Sequence, residues 1–344
     1  MTTTTTSPFA VDVDAARERI DAALRDFLRD KACGEAELRL PADVTDAVRE
    51  FLEAGGKRVR PLFCVLGWLA AGGRGIPPEV VRVAAALEMF HAAVLIHDDI
   101  IDDSDTRRDR PTVHRAVGTD AAILIGDFAL AWSGELLHTA GLSAERLAGV
   151  LPIVDAMRCE VDYGQYLDLI TTGRPTRDLD RAFEIIRYKT AAYTVERPLQ
   201  VGAAVAQAGP EVRRALSGYA RPLGEAFQLQ DDLLGVFGDP ARTGKSNLED
   251  LRSGKHTVLL ALALRRADAR QEQRLCALVG DPELDERGAA ECRDLLATLA
   301  RDQVEQMIRN RWLRAQRALT EAPFPPAAAA ALRRFADALA VRSV

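Results

Sequence analysis

The sequence predicts an all-α protein, a bundle of many helices around a central cavity. Long stretches carry apolar residues at helical spacing and are rich in Ala, Leu, Arg and Glu, which are good helix formers. No stretch shows a convincing strand pattern. Several stretches are apolar nearly all the way round the helix axis, which is typical of helices buried inside a large bundle.

Glycine and proline residues separate the predicted helices, as at Gly72-Gly73 and Gly209-Pro210. Pro41 suits the first turn of a helix, and Gly55-Gly56 suit the end of the same helix. In chain order, the predicted helices lie within residues 12–27, 41–52, 58–69, 77–99, 119–138, 143–169, 179–193, 211–237, 257–266 and 283–320.

The chain is predicted to form a single all-helical domain over residues 11–344, preceded by a disordered polar tail over residues 1–10. Residues 2–7 of this tail are polar and of low complexity. No linker, block of like charges or internal repeat divides the remaining chain, so we expect one domain despite its length.

The composition excludes several classes of protein. Apolar residues make up 48 % of the chain and charged residues 28 %, as in ordinary globular proteins, and the net charge of −6 argues against a nucleic-acid partner. The five cysteines are scattered without a C-x-x-C pair, which predicts a reduced, cytoplasmic protein with buried thiols. No stretch approaches the roughly 20 apolar residues that a membrane span needs, so we expect none.

The first candidate site is the acidic segment of residues 97–105, which follows an apolar stretch. Asp98 and Asp102 lie four residues apart and share one face of a helix, where like charges repel unless something neutralises them. A cluster of carboxylate oxygens suits Mg²⁺, which commonly bridges to substrate phosphates. Taken alone, the segment is equally compatible with a solvated acidic helix end.

A second acidic pair, Asp231-Asp232, ends another apolar stretch, and cations lie near both acidic clusters. Arg107-Arg108 follow the first cluster, while Lys245 and Lys255 follow the second. The basic residues of segment 55–60 precede a helix start, where backbone N–H groups attract anions. Arginine and lysine suit phosphate oxygens, so the two clusters are expected to hold several metal ions around a diphosphate.

Together these motifs resemble those of the trans-isoprenyl diphosphate synthases, or polyprenyl synthetases, and most of all the bacterial geranylgeranyl diphosphate synthases. The resemblance covers about Glu53 to Val258. Its five blocks, in the family's order, are the G-G-K-x-x-R of residues 55–60, residues 97–108, Lys189-Thr190, residues 227–232 and the lysine-bearing loop of residues 245–255. Five blocks in order are far more specific than an isolated D-D-x-x-D.

The resemblance implies a role for each matched residue. It implies three Mg²⁺ ions held by the carboxylates Asp98, Asp99, Asp102, Asp231 and Asp232. It implies that Arg107, Lys189 and Lys245 hold the diphosphate of the allylic substrate, and that Lys57, Arg60, His91 and Arg108 hold that of isopentenyl diphosphate. It further implies that Lys255 closes the site and that Thr190 and Gln228 stabilise a carbocation, which completes a catalytic set with Lys189, Asp98 and Asp102.

The implied reaction is the head-to-tail condensation of isopentenyl diphosphate with an allylic prenyl diphosphate, with release of pyrophosphate. Metal ions and cations would stabilise the charge that develops on the leaving diphosphate. An apolar cavity would keep water away from the carbocation. The sequence offers no obvious separate base, in agreement with the family's use of the departing diphosphate as the proton acceptor.

Gly235 departs from the family pattern, because the second motif usually ends in a third carboxylate at this position. Asp239 or the Glu249-Asp250 pair are candidates to compensate. The spacing of Asp231, Gly235 and Asp239 also faintly resembles the second metal motif of class I terpene cyclases. A cyclase needs no second diphosphate site, so Lys57, Arg60 and Arg108 favour condensation.

Product length is expected to depend on the depth of the cavity below Asp98. Ala93, which lies about 7.5 Å down the helix, is small, and Val94 lies beneath the motif on the same face. Phe90, about one turn deeper, could form the floor. These residues favour a C20 product, geranylgeranyl diphosphate, while a farnesyl or longer polyprenyl product, and a floor on another helix, stay open.

Two alternatives of another class also stay open. A class I terpene cyclase would release pyrophosphate from an allylic diphosphate alone. A non-catalytic partner subunit would show no turnover with Mg²⁺ under any pairing of substrates. The family's habit further implies a homodimer built on helix faces.

Overall fold

The computed structural model describes residues 12–239 and 248–340 and confirms the predicted all-α fold. Within these residues the only strands are β1 (Thr106–Arg107) and β2 (Arg110–Pro111), which form a short antiparallel ribbon. The predicted disordered tail, residues 1–10, and the predicted diphosphate ligand Lys245 both lie outside the described residues.

The helices before residue 206 are α1 (Val13–Leu38), α2 (Asp43–Glu53), α3 (Val59–Ala70), α4 (Pro78–Ile101), α5 (Val113–Val117), α6 (Thr119–His138), α7 (Ala144–Thr171), α8 (Leu179–Ile185), the π-helical segment π1 (Ile186–Glu196) and α9 (Arg197–Val205). Those after it are α10 (Pro210–Phe237), α11 (Glu249–Ser253), α12 (Val258–Arg266), α13 (Ala269–Leu278), α14 (Glu286–Leu296), the π-helical segment π2 (Ala297–Arg301), α15 (Asp302–Glu321) and α16 (Pro326–Ala340).

The predicted helices all exist, but two of them contain irregularities that periodicity does not reveal. The helix predicted over residues 179–193 changes at Ile186 into π1, and the one predicted over residues 283–320 is divided by π2. Pro198 lies two residues beyond the end of π1. A proline cannot donate a helical hydrogen bond, and it crowds the carbonyl four residues before it, which lies within π1. Helices α5, α9, α11, α13 and α16 were not predicted.

The chain divides by its contacts into two compact units. Unit 1 comprises Met1–Pro152, Pro198–Gly209 and Phe324–Ala328, and unit 2 comprises Ile153–Arg197, Pro210–Pro323 and Ala329–Val344. Each unit has its own buried apolar residues. A single domain over residues 11–344 stays a prediction.

Helix α4 is the core helix of unit 1 and packs against α1, α3 and α6. It is long and apolar enough to cross a membrane by length and composition, contrary to the prediction that no stretch is, yet 72 % of its most apolar window is buried. Helix α3 also meets α9 closely, because a Cβ on Gly202 would lie 1.8 Å from the Cys64 carbonyl oxygen. The α4 residues are therefore accounted for by packing within the protein.

Unit 2 is built around α10, which packs against π1 and α15. Two glycines allow neighbouring helices to approach the irregular backbone of π1. A Cβ on Gly164 would lie 2.4 Å from the Lys189 backbone nitrogen, and one on Gly224 would lie 2.5 Å from the Ala191 Cα. The backbone of π1 is consequently in close contact with α7 on one side and with α10 on another.

The cysteines agree with the sequence prediction in bonding but not in burial. All five are free thiols. Cys64 and Cys292 are buried, and burial raises the pKa of each thiol to about 12. The prediction of burial is wrong for Cys33, Cys159 and Cys276, which are exposed on helix surfaces.

Candidate active site

The first acidic cluster lies in unit 1, at the C-terminal end of α4. The carbonyl groups that end a helix carry partial negative charge, so carboxylates in the last turn are unfavourable without a cation. Asp99 is nevertheless 1 % exposed, whereas Asp98 is partly buried and Asp102, which caps the helix, is exposed. A nearby cation must therefore neutralise this end of α4.

Arg107 supplies that charge. Its Nε donates to both oxygens of Asp99, at 2.8 and 2.9 Å, and its Nη2 lies 2.7 Å from Asp99 Oδ1 and 3.6 Å from Asp98 Oδ2. Burial opposes the charge of Arg107, but the hydrogen bond that it donates to Asp99 and the fields of Asp99, Asp98 and Asp102 raise its pKa above the ordinary value. The guanidinium is thus held permanently beside the two residues predicted to bind metal.

The ribbon after α4 carries Arg107 and Arg108 into place. Its two-residue loop is Arg108-Asp109, with φ of 54° and 60°, as in the type I′ turn that suits a hairpin twist. Arg108 donates to the carbonyl oxygen of Gly55. A Cβ on Gly56 would lie 3.0 Å from Arg108 Nη2, so the second glycine of the G-G-K-x-x-R motif leaves space for this guanidinium.

Arg58, which was not predicted as a site residue, anchors the G-G-K-x-x-R loop to the core. Its Nε donates to Asp21 at 2.7 Å, its Nη1 to Glu88 at 2.8 Å and its Nη2 to the Leu52 carbonyl oxygen at 2.8 Å. Arg58 and Glu88 are both buried, and a buried charge is costly unless it is paired. All three guanidinium nitrogens are engaged, so Arg58 fixes the backbone from which Lys57 and Arg60 project.

His91 on α4 meets Arg60 on α3, with 2.9 Å between Arg60 Nη1 and His91 Nε2. An arginine can only donate, so Nε2 accepts and the neutral imidazole carries its proton on Nδ1. Burial, followed by the fields of Arg60, Arg108, Arg107 and Arg58, lowers the pKa of His91 well below its ordinary value. Four guanidinium groups therefore act on one histidine. Arg58 and Arg107 are paired with carboxylates, and the field of Arg60 and Arg108 beside them favours an anion.

The second group of predicted residues lies in unit 2, on π1 and α10. Lys189 Nζ donates to Asp168 Oδ2 at 2.7 Å. Thr190 Oγ1 donates to Gln228 Oε1 at 2.5 Å, and Gln228 Nε2 donates to Asp232 Oδ1 at 2.8 Å. The structure therefore joins Thr190, Gln228 and Asp232 in one hydrogen-bonded chain.

Asp232 lies among carboxylates. Burial raises its pKa to about 8, the fields of Asp231, Asp250 and Asp168 add to that shift, and the hydrogen bond from Gln228 opposes it. Lys255 is near this group, with its Nζ 3.7 Å from Asp250 Oδ1. Concentrated negative charge of this kind favours a cation.

Magnesium fits the chemistry of both acidic groups. Among the described residues no three His, Cys, Asp or Glu side chains form a ready-made metal-binding group. Mg²⁺ is usually held by one or two carboxylates together with substrate phosphates and waters rather than by an all-protein cage. Carboxylates that lie beside a cation able to pair with phosphate, as Asp98 lies beside Arg107, match that mode of binding.

The remaining predicted residues have simpler surroundings. Ala93 and Phe90 are buried on α4, and Val94 is partly exposed. Lys57 is exposed immediately before α3. Apart from Arg58, sequence reasoning missed Asp168, whose only signal was a carboxylate within the apolar run of residues 166–170.

Comparisons with known proteins identify the family of this chain. Residues 41–296 match the family model described as polyprenyl synthetase. The short chain isoprenyl diphosphate synthase of Methanocaldococcus jannaschii is 34 % identical over 76 % of this chain and 80 % of its own length. The geranylfarnesyl diphosphate synthase of Aeropyrum pernix is also 34 % identical, over 67 % of this chain and 73 % of its own.

A solved structure gives the same result for the fold. The geranylgeranyl pyrophosphate synthase of Corynebacterium glutamicum, crystallised with isoprenyl diphosphate and magnesium, is 39 % identical with a TM-score of 0.91. The match covers 97 % of this chain and all of that one. The fold and these relatives define an all-helical trans-prenyltransferase. The chain belongs to the polyprenyl synthetase family.

The surroundings of His91 generate a pH prediction. The folded protein keeps this imidazole neutral, while the unfolded chain takes up a proton as the pH falls through the ordinary value of about 6.5. The stability contributed by the neutral histidine is therefore present above that pH and lost below it. Between pH 7.5 and 5.5 without ligand, wild type should lose about 1.4 kcal/mol of unfolding free energy relative to His91→Gln, measured by urea denaturation. An unchanged difference between the two proteins at both pH values would contradict this assignment.

Proposed function

We propose that the protein is a magnesium-dependent prenyltransferase that condenses isopentenyl diphosphate head to tail with an allylic prenyl diphosphate and releases pyrophosphate. The observation that carries the proposal is the positive charge around His91, next to the acidic end of α4. Metal-binding carboxylates alone suit any enzyme that ionises a prenyl diphosphate. A separate group of arginines suits a second diphosphate, which only condensation requires.

In unit 1, Lys57, Arg60, His91 and Arg108 would hold the diphosphate of isopentenyl diphosphate. Arginine forks match phosphate oxygens in geometry. Arg58 already fixes the backbone between Lys57, in the loop, and Arg60, in the first turn of α3. Asp98 and Asp102 would hold magnesium. The buried Asp99 would support them by orienting Arg107 toward the diphosphate of the allylic substrate.

In unit 2, Asp231 would hold magnesium with Asp232 in support, and Lys189 and Lys255 would contact the allylic diphosphate. Lys245 is assigned the same role from the sequence. When bound, magnesium would stabilise the negative charge of the departing diphosphate. A total of three ions stays a prediction.

Thr190 and Gln228 would stabilise the carbocation. Thr190 uses its proton in the hydrogen bond to Gln228, so the lone pairs of its oxygen are left to face positive charge. Gln228 is oriented in turn by Asp232. These hydrogen bonds fix the orientation of Thr190 and Gln228 before a substrate binds, which supports an electrostatic role for both side chains.

Two other functions are less well supported. A class I terpene cyclase would have no use for the cations around His91. A non-catalytic partner subunit would have no need for the hydrogen-bonded Thr190, Gln228 and Asp232. Both alternatives predict no condensation product: a cyclase would release pyrophosphate from the allylic diphosphate alone, and a non-catalytic subunit would show no turnover.

The function is tested with labelled isopentenyl diphosphate and C5, C10 and C15 allylic starters, followed by sizing of the product. Pyrophosphate release should require both substrates. Asp98→Asn should lower the condensation rate by about 10²- to 10³-fold, because a charge that acts at the leaving group is lost. Asp30→Asn, the same change at an exposed position of α1, should leave the rate unchanged. Persistence of near-wild-type condensation in Asp98→Asn would remove the metal assignment.

We further propose geranylgeranyl diphosphate as the product, with farnesyl or longer products as alternatives. Small Ala93 and buried Phe90 on α4 support a floor at Phe90. Phe90→Ala should therefore shift the product distribution to longer chains. Met89→Ala removes an equally buried side chain from another face of α4 and should not shift it. If both variants make the wild-type product, the floor lies elsewhere.

We also propose a homodimer formed through α6. This helix leaves several apolar side chains exposed, namely Ile123, Leu124, Phe128 and Leu130. Leu124 and Phe128 lie one turn apart on the same face, which a second copy of the chain would bury. A cytoplasmic location stays a prediction that the free thiols support.

The dimer is tested by light scattering coupled to size exclusion. Phe128→Glu should convert a wild-type dimer to monomer, because an unpaired charge would be buried in the interface. Leu313→Glu introduces the same charge at an apolar residue of similar exposure on α15 and should leave the dimer intact. A monomeric wild type, or a dimer that survives Phe128→Glu, would contradict this interface.

A further inference from the structure

The last two helices, α15 and α16, carry a local excess of positive charge in a chain that is acidic as a whole. Residues 309–334 contain six arginines and a single acidic residue, Glu321, whereas the net charge of the whole chain is −6. Four of these arginines lie on α15 and two on α16, and all six belong to unit 2. Charge that is concentrated in this way points to an anionic partner.

The exposed face of α15 combines three of these arginines with a leucine. Arg309, Leu313 and Arg317 are exposed and four residues apart, so they lie on successive turns of one face, and Arg314 is exposed beside Leu313. The other side of the helix is buried at Ala315. Leu313, which is 46 % exposed, is therefore an apolar side chain with an arginine on either side of it.

Carboxylates neutralise little of this charge. Arg309 Nη1 lies 3.7 Å from Glu305 Oε2, but that carboxylate also pairs with a second arginine. In the part of the chain that the structure describes, neither Arg314 nor Arg317 lies within ion-pair distance of a carboxylate. Glu321 is exposed one turn beyond Arg317 and is the acidic residue nearest to it along α15. The charge of this face is thus available to an anion outside the protein.

Helix α16 adds two more arginines beside α15. Arg333 Nε donates to Gln316 Oε1 on α15 at 3.0 Å, and both Arg333 and Arg334 are exposed. Asp337, about one turn further along α16, is partly buried. We call this surface the arginine face, which comprises Arg309, Leu313, Arg314, Arg317, Arg333 and Arg334.

We propose that the arginine face binds the surface of a bilayer that contains anionic phospholipids, with Leu313 in contact with the lipid. Each arginine near such a surface strengthens binding by about fivefold, and clusters of four or more are typical of these sites. Charges farther away than roughly 8 Å are largely screened at physiological salt, so the acidic remainder of the chain does not prevent binding through this face. An exposed leucine among the arginines suits lipid better than a nucleic-acid backbone. The binding goes beyond the proposed function and does not depend on it.

Sedimentation of the full chain with vesicles tests the proposal. Vesicles of equal parts phosphatidylglycerol and phosphatidylcholine should bind the protein at low salt, whereas phosphatidylcholine alone, or high salt, should abolish binding. Arg314→Gln/Arg317→Gln should weaken binding by about 10-fold or more. Arg19→Gln/Arg25→Gln removes the same charge from exposed positions on α1 and should change binding less than twofold. A wild type that does not bind, or equal weakening by both double variants, would overturn the proposal.

Leu313→Ser separates contact with the bilayer from general attraction between charges. The variant keeps every charge and should weaken vesicle binding by about threefold or more, because an apolar contact with the lipid is lost. Binding equal to that of the wild type would overturn the placement of this face on the bilayer. Double-stranded DNA serves as the other anionic surface. DNA binding as tight as vesicle binding, and lost in Arg314→Gln/Arg317→Gln, would overturn the assignment to lipid.

Folding and turnover provide the remaining controls. The substituted positions are exposed, so the urea midpoint of unfolding should stay at the wild-type value in every variant. Condensation in the absence of vesicles should also be unchanged. Failure of the proposed function would appear in that condensation assay, and failure of this inference in vesicle binding, so the two outcomes are distinguishable.

Discussion

The pairing of Arg107 with Asp99 is the interaction on which the rest of the unit 1 site depends. Carboxylates crowded at the C-terminal end of a helix oppose both each other and the helix dipole. Arg107 offsets that repulsion. Because Arg107 belongs to the ribbon after α4, its contact with Asp99 also holds the ribbon against the end of the helix. The turn at Arg108-Asp109 then delivers Arg108 to Gly55, which links the acidic end of α4 to the loop held by Arg58.

Unit 2 also contains crowded carboxylates, and different side chains lie beside them. Its cations Lys189 and Lys255 lie beside Asp168 and Asp250, and an amide, Gln228, contacts Asp232. The irregular backbone of π1 presents Lys189 and Thr190 to different neighbours, and π-helical turns frequently occur at functional sites. Close contacts at Gly164 and Gly224 hold that irregular backbone in place.

The sequence predicts the fold class and the acidic motifs well because both depend on local patterns. Periodic apolar residues specify helices wherever packing does not interrupt them, and the spacing of Asp98 and Asp102 is visible along the chain. Arg58, Glu88 and Asp168 escaped prediction because their importance comes from partners more than twenty residues away. The same limit hid π1. Its own residues fit an ordinary helix, whereas the proline near its end and the glycines that pack against it lie outside the segment.

The existing ion pairs also bear on how a diphosphate would bind. The free energy gained by binding a charged ligand is reduced when lysine and arginine side chains must first be ordered and lose their bound water. Here Arg107, Lys189 and Arg60 are already held by Asp99, Asp168 and His91, so their orientation is set before any anion arrives. Within each unit, a diphosphate that bound these cations as proposed would not first have to order them. Such preorganisation acts most strongly where charge develops during a reaction, which is the demand that ionisation of an allylic diphosphate makes.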